Sequence, residues 1–135
     1  MKKQIAVLPG DGVGPEIVAV GVDVLKKIAE IYGHEFTFQK GDIGGVAIDN
    51  TGDPFPKETE ELCIKSDAIL FGAIGDPRFD NNPLSKVRPE QGLLKMRKIL
   101  GLYANVRPIQ AFTATIDTSP LKRHIVENAD FVVIR

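Results

Sequence analysis

The residues best equipped for chemistry are three arginines, Arg97, Arg107 and Arg135. The run RPEQGLLKMRKILGLYANVRPI, from Arg88 to Ile109, sets the first two among leucines. A guanidinium is planar, does not titrate away and can grip a carboxylate with two parallel N–H bonds. Arg107 closes an apolar stretch, YANVR, and Arg135 closes another, FVVIR. In open α/β sheets ligands lie outside the carboxyl ends of the strands. Two strand-end arginines and one on an adjacent helix can therefore converge on a substrate bearing two carboxylates, and leucines beside them suit an aliphatic branch.

The elements that must hold these groups follow from periodicity. A helix starting near Glu90 advances about 100 degrees per residue, so Glu90, Leu93, Leu94 and Arg97 share one face. Met96, Ile99 and Leu100 fall beside it as the core stripe. Glu90 and Arg97 stand seven residues apart, and helical ion pairs form at three or four, so a mutual pair does not explain them. The pattern fits equally a partly exposed helix with the Arg97 stem laid along it. Spacing alone leaves both readings open and assigns Arg88 no role.

Upstream, Gln4 to Leu8 reads as a buried strand that ends at Pro9-Gly10, and GDGVGPE follows as a glycine-rich turn. Apolar residues from Ile17 to Ile31 then mark a helix opened by Pro15 and closed by Gly33. Phe36 and Phe38 alternate with polar residues as in a strand, and GDIGGVAIDNTGDPFP reads as loop-rich. A helix over about Lys57 to Lys65 and a strand, AILFG, come next. Beyond Ile109 the pattern weakens: Ser119-Pro120 can start a short helix holding His124, and FVVIR is β-branched. Strand alternating with helix predicts a largely parallel sheet flanked by helices. The standard dinucleotide fingerprint fails, because Pro15 stands where its third glycine belongs. Gly10, Gly12 and Gly14 still permit close backbone approach, with free helix amides facing a ligand or simply a tight turn.

With 135 residues, 43% hydrophobic and 26% charged, the chain has the composition of one globular unit rather than a disordered one. Seventeen Lys+Arg against eighteen Asp+Glu leave a formal net charge of -1. That balance opposes a nucleic-acid interface through Lys86, Arg88, Lys95, Arg97 and Lys98. Cys63 stands alone, without a His near it in sequence, and reads as a core residue in a reducing compartment. His34 and His124 read as surface residues, and no Cys or His cluster has metal spacing. No apolar run has the length of a membrane helix, and the reading is cytoplasmic.

Four motifs resemble the isocitrate/isopropylmalate dehydrogenase family, the metal-dependent decarboxylating dehydrogenases of β-hydroxyacids. They are GDGVGPE at Gly10 to Glu16, GGVAID at Gly44 to Asp49, RPEQGLLKMRKILGLYANVRP at Arg88 to Pro108 and SPLK at Ser119 to Lys122. The resemblance implies that family's fold, largely parallel and not a standard Rossmann fold, incomplete in this chain. Residues 1-101 would belong to a larger, cofactor-side domain and 102-135 would start a second, substrate and dimer domain. It further implies that Arg97, Arg107 and Arg135 bind the carboxylates of a malate moiety, and that Leu93, with Leu94, contacts its substituent. Glu90 would lie near the nicotinamide ribose and Val13 near the adenine. Asp76 and Pro77 would belong to a cofactor-side loop, with Asp76 a departure from the usual glycine.

The implied reaction is NAD-dependent oxidative decarboxylation of 3-isopropylmalate to 2-oxoisocaproate in leucine biosynthesis, with Mg or Mn on the substrate oxygens and a homodimer as the assembly. Homoisocitrate or tartrate as substrate, and a non-catalytic anion-binding subunit, are the alternatives. On this comparison the family's proton-transfer tyrosine and lysine and its metal-binding aspartates lie past Arg135, so the chain reads as an N-terminal fragment. The isolated 135 residues are accordingly expected to form no NADH from 3-isopropylmalate, and measurable turnover by that segment would overturn the expectation.

Overall fold

Ile5, Ala6, Val7 and Leu8 are all buried. Successive strand residues face opposite ways, so such a run needs cover on both faces of its sheet. The computed structural model describes residues 1–80 and 86–135, and the chain divides into two compact units, Met1–Gly101 and Leu102–Arg135. In the first, β1 (Lys2–Gly10) runs between β2 (Glu35–Lys40) and β3 (Ala68–Ala73), all parallel, in the order β2-β1-β3. Ile5 and Val7 pack with Val18, Val22 and Leu25 of α1 (Gly14–Tyr32). Ala6 and Leu8 point the other way, into a cluster with Ile43, Phe55, Cys63 and Met96. That second face is covered by α3 (Lys57–Lys65) and α5 (Pro89–Ile99), with α2 (Gly45–Thr51) and the four-residue α4 (Pro77–Asp80) between the strands and these helices in sequence.

Pro15 lies in the first turn of α1, and Gly33 ends the helix with a left-handed φ of 65°, as the sequence predicts. Of the apolar residues between Ile17 and Ile31, Val18 and Ala29 are buried and Leu25 packs against the core, while Ile17, Val24, Ile28 and Ile31 are exposed. The apolar residues wrap too far round α1 for periodicity to choose the inner face. The segment read as loop-rich contains α2. Its glycines and Asp-Asn pair mask a helix whose start is held by a distant carboxylate.

That carboxylate belongs to Asp11, which is 7% exposed. It accepts hydrogen bonds from the N–H of Gly45 at 2.8 Å, Val46 at 3.0 Å and Gly75 at 3.2 Å. Asp11 N–H itself donates to Ala73 O at 2.7 Å. One side chain thus joins the turn after β1, the first amides of α2 and the loop after β3. Gly44, at φ 84°, occupies the left-handed region, and a Cβ there would collide with the Asp11 carboxylate. Among the described residues no buried side-chain nitrogen or oxygen lacks a partner.

In the second unit β4 (Val106–Gln110) pairs antiparallel with β5 (Asp130–Ile134), Arg107 opposite Val133. A 3-10 turn (Ile116–Thr118) and α6 (Arg123–Val126), which carries His124, lie between them. The three-stranded sheet of the first unit is parallel, as expected of a largely parallel fold, and this two-stranded pair is antiparallel. No helix among the described residues is long and apolar enough to cross a membrane.

Replacing Asp11 by Ala strands three amides in a dry site. The expected loss is about 3–5 kcal/mol, read from urea unfolding. Asp11→Asn, which keeps one acceptor oxygen, is expected to lose less, and equal losses would show that charge rather than acceptor geometry is what matters.

Candidate active site

The strand order places the switch point of the sheet between β1 and β3, because the chain leaves β1 toward one face and β3 toward the other. Ligand crevices in doubly wound sheets open there, outside the carboxyl ends. Asp11 to Val13 follow β1 and Gly75 to Pro77 follow β3. The two turns are adjacent: a Cβ on Gly12 would lie 4.0 Å from Gly75 O. Glu90, in the first turn of α5, brings Oε1 to 3.9 Å from a Cβ built on Gly75. The structure therefore gathers four of the residues singled out by sequence, Val13, Asp76, Pro77 and Glu90, around one pair of loops. Val13 is 56% exposed at the N-cap of α1. Residues 81–85 of the loop leading to Glu90 lie outside the described residues.

In the glycine turn part of the backbone is already committed. Gly14 N–H bonds Asp11 O at 2.9 Å, Ile17 N–H bonds Val13 O at 3.2 Å, and Pro15 has no N–H. A Cβ on Gly14 would collide with Pro9 O, so this glycine is used up in seating α1 against the strand end. The start of α2 is likewise filled from within, by Asp11.

Asp76 is committed as well. Its carboxylate accepts Arg78 N–H at 2.9 Å and Arg78 Nε at 2.8 Å, while Arg78 Nη2 reaches Asp49 on α2 at 2.8 Å. The hydrogen bond from the Arg78 side chain holds the Asp76 carboxyl below its ordinary value. Sequence reading passed over Arg78 and Asp49, since nothing local couples positions 29 residues apart.

On α5 the predicted mixed face is present with one revision. Glu90, Leu94 and Arg97 are exposed, Leu94 at 63%. Leu93 is half-buried and packs against the core cluster with Leu100, beside buried Met96. At about 100 degrees per residue Leu93 stands on the border between core stripe and open face. Ile99, placed in the core stripe by sequence, is exposed instead. Arg88 occupies the N-cap, its N–H donating to Gln91 Oε1 at 3.1 Å.

The committed cation of α5 is Lys95. Its Nζ donates to Asp53 Oδ2 at 3.0 Å and Phe55 O at 2.9 Å and stands 5.8 Å from the Phe55 ring centroid. Arg97 forms no ion pair among the described residues.

Arg107 is the second residue of β4, not its end, and Arg135 follows β5 with reciprocal backbone bonds to Asn105 of 2.8 and 3.0 Å. Arg107 therefore does not close a strand, contrary to the sequence-based expectation. In an antiparallel pair the start of one strand meets the end of the other, and directly opposed residues share a face. Arg107, opposite Val133, and Arg135, opposite Asn105, thus stand diagonally on one face at one end of the ribbon. Arg107 Nε also donates to Asn105 Oδ1 at 3.0 Å.

Other candidate groups fall away. Cys63 is 3% exposed, and burial pushes its thiol up to about 11, which removes it as a nucleophile near neutrality. His34 lies between the rings of Tyr32 and Phe36, and His124 is exposed on α6. No group of three His, Cys, Asp or Glu among the described residues can hold a metal ion. A groove of about 640 Å³ lined by Lys40, Asp42, Glu58 and Lys65 holds none of the sequence-derived site residues.

The Lys95 clamp makes a testable pH prediction. Burial pushes the Asp53 carboxyl up, but the Phe55 amide and Lys95 outweigh it and leave the group below 3.8. A lowered folded-state pKa stabilises above the unfolded value and loses that contribution as pH falls through the folded one. Lys95→Met is therefore expected to cost up to about 1 kcal/mol at neutral pH, as for a half-exposed pair. The deficit should shrink as pH drops below 3.8, measured by urea unfolding across pH. A deficit independent of pH would assign the loss to packing instead.

Comparison with known proteins bears on the same residues. The family model described as isocitrate/isopropylmalate dehydrogenase matches residues 4–135. The 3-isopropylmalate dehydrogenase of Aquifex aeolicus is 58% identical over 136 residues, covering 100% of this chain and 37% of that protein. That of Bacillus subtilis is 53% identical over 135 residues, again covering 100% and 37%. Among solved structures, a beta-decarboxylating dehydrogenase from Thermococcus kodakarensis in its apo form superposes with a TM-score of 0.68 at 32% identity, over 98% of this chain and 33% of that one. Isocitrate dehydrogenase from Methylococcus capsulatus gives 0.70 at 26% identity, over 98% and 34%. The chain spans 37% of the length of the first two relatives. With the sheet order, the loop pair at its switch point and the α5 motif on the page, the match over residues 4–135 has one reading: the chain belongs to the isocitrate/isopropylmalate dehydrogenase family.

Proposed function

We propose that the protein carrying this chain catalyses the NAD-dependent oxidative decarboxylation of 3-isopropylmalate to 2-oxoisocaproate, a step of leucine biosynthesis, as a cytoplasmic homodimer. The observation that carries this reading is the open face of α5. A carboxylate, a leucine and an uncommitted guanidinium stand exposed there, with the Glu90 carboxylate beside the loop after β3. The relatives named 3-isopropylmalate dehydrogenase support the same choice within the family.

The roles are those the family resemblance implies, and the side-chain chemistry suits them. Arg97 on α5 and, on the ribbon of the second unit, Arg107 and Arg135 are each assigned as carboxylate ligands of a malate moiety, and a planar fork fixes the orientation of the carboxylate it holds, a positioning contribution to the rate. Leu94, exposed on the open face, and Leu93, at its border, face the isopropyl group and exclude water from it. Burial of such a group is worth about 1.5–3 kcal/mol. Glu90 accepts hydrogen bonds from the nicotinamide ribose, and Val13 offers an apolar surface to the adenine. NAD, when bound, supplies the hydride acceptor. Residues 1-101 serve as the cofactor-side portion and 102-135 as the start of the substrate and dimer portion. Mg or Mn does not fit the described residues, because Asp11, Asp49 and Asp76 are already bonded to amides or to Arg78. No metal ligand and no step through a metal is assigned to this chain.

The complete protein is expected to form NADH from 3-isopropylmalate and to prefer it over malate by about 10–100-fold in kcat/KM, the value of an aliphatic branch in an apolar site. Leu94→Asn should narrow that ratio, and Arg107→Gln should lower kcat/KM for both acids by about 100-fold. A preference for homoisocitrate or tartrate would replace the substrate assignment. Binding of 3-isopropylmalate without turnover would favour the anion-binding subunit.

A further inference from the structure

Two anchors bracket the cofactor-side loop, and each reaches the same short helix. On the near side Gly75 donates to Asp11 Oδ2 at 3.2 Å, and that carboxylate also takes the first amides of α2. On the far side Arg78 spans Asp76 and Asp49, with Nη2 at 2.6 Å from Asp76 Oδ2 and 2.8 Å from Asp49 Oδ2. Only Asp76 and Pro77 lie between the anchors. The Asp76 carboxylate is mostly covered, at 18% side-chain exposure, and a Cβ on Gly45 would stand 3.3 Å from it. It therefore faces α2 and spends its acceptor capacity on Arg78. Arg78, with its ring neighbour Phe79 at 5.6 Å, belongs to the loop, while Asp49 belongs to the helix. The guanidinium is the tie between them.

We propose that Arg78 is the positioning residue of the cofactor-side loop: by bridging Asp76 to Asp49 it fixes the loop on α2 and so sets the affinity for the nicotinamide cofactor. This rests on the reading of that loop as cofactor-facing. Asp76 then acts by holding the loop, and contact with the cofactor falls to the backbone and to Pro77. A single exposed ion pair orders little, but a planar fork shared by two carboxylates fixes both direction and distance. Because the bridge is exposed, it is screened by salt, whereas the Asp11 anchor is buried and screened far less.

The test uses the complete protein and NAD itself, titrated calorimetrically without substrate, so that cofactor binding is read separately from turnover. Arg78→Ala and Asp49→Asn are each expected to weaken NAD by about tenfold, the scale of a small positioning error. The double variant should be no weaker than Arg78→Ala, because both changes break one bridge. Arg78→Lys should recover part of the loss. NAD affinity of the unaltered protein should fall more steeply between about 0.05 and 0.5 M salt than that of Arg78→Ala. Unchanged affinity in Asp49→Asn, or additive losses in the double variant, would overturn the bridge. Loss of NAD binding on Arg78→Ala together with failure to oxidise 3-isopropylmalate in the unaltered protein would keep the bridge and reject the substrate assignment.

Discussion

A buried carboxylate accepting three amide hydrogens from two separate segments is the constraint on which the rest of this structure depends. Asp11 sits where β1 ends, and its partners, Gly45, Val46 and Gly75, belong to α2 and to the loop after β3. A charge out of water is costly unless its lone pairs are filled, and each charged hydrogen bond returns about 1.5–3 kcal/mol. The arrangement is therefore all or nothing. With the three donors in place, both loops at the switch point of the sheet are held in one geometry. Gly44 and Gly14 then follow as steric necessities, because a side chain at either would strike the carboxylate or the Pro9 carbonyl.

Given that platform, the division of labour among charged residues becomes readable. Lys95 is spent on the Asp53–Phe55 turn and fixes the pitch of α5 against the core. Arg78 is spent on two carboxylates. Arg97 is left without an ion pair among the described residues, on the same face as Glu90 and Leu94. Structural cations and candidate ligand-binding cations thus differ in whether the protein itself supplies their counter-charge. On the proposed function, that distinction is what sets Arg97 apart from Lys95 on the same helix.

How much of this was legible in the residues depends on whether the signal is local. The helices Gly14–Tyr32, Lys57–Lys65 and Pro89–Ile99 announce themselves through periodicity, Pro15 and Gly33. The strand at Ile5 to Leu8 does so through an unbroken apolar run. Helix Gly45–Thr51 was hidden, since its short length and flanking glycines look like loop, and what starts it is a carboxylate 34 residues away. The glycine-rich turn left a waiting ligand and a tight turn both open, and the packing shows Gly14 serving the strand beneath. Leu93 was placed on the open face because helical spacing cannot tell a border residue from a central one until the core is in place.

By itself the sequence determined the family, through long motifs that run the length of the chain. It also determined most of the elements. Only the tertiary structure decided what each charge faces. Asp11 meets partners 34 and 64 residues away, Arg78 meets Asp49, and Arg107 and Arg135 share a face because their strands run antiparallel. Periodicity reports which side of an element is apolar, a property of near neighbours along the chain. The partner of a charge is set by how distant segments pack, and no local pattern carries that information.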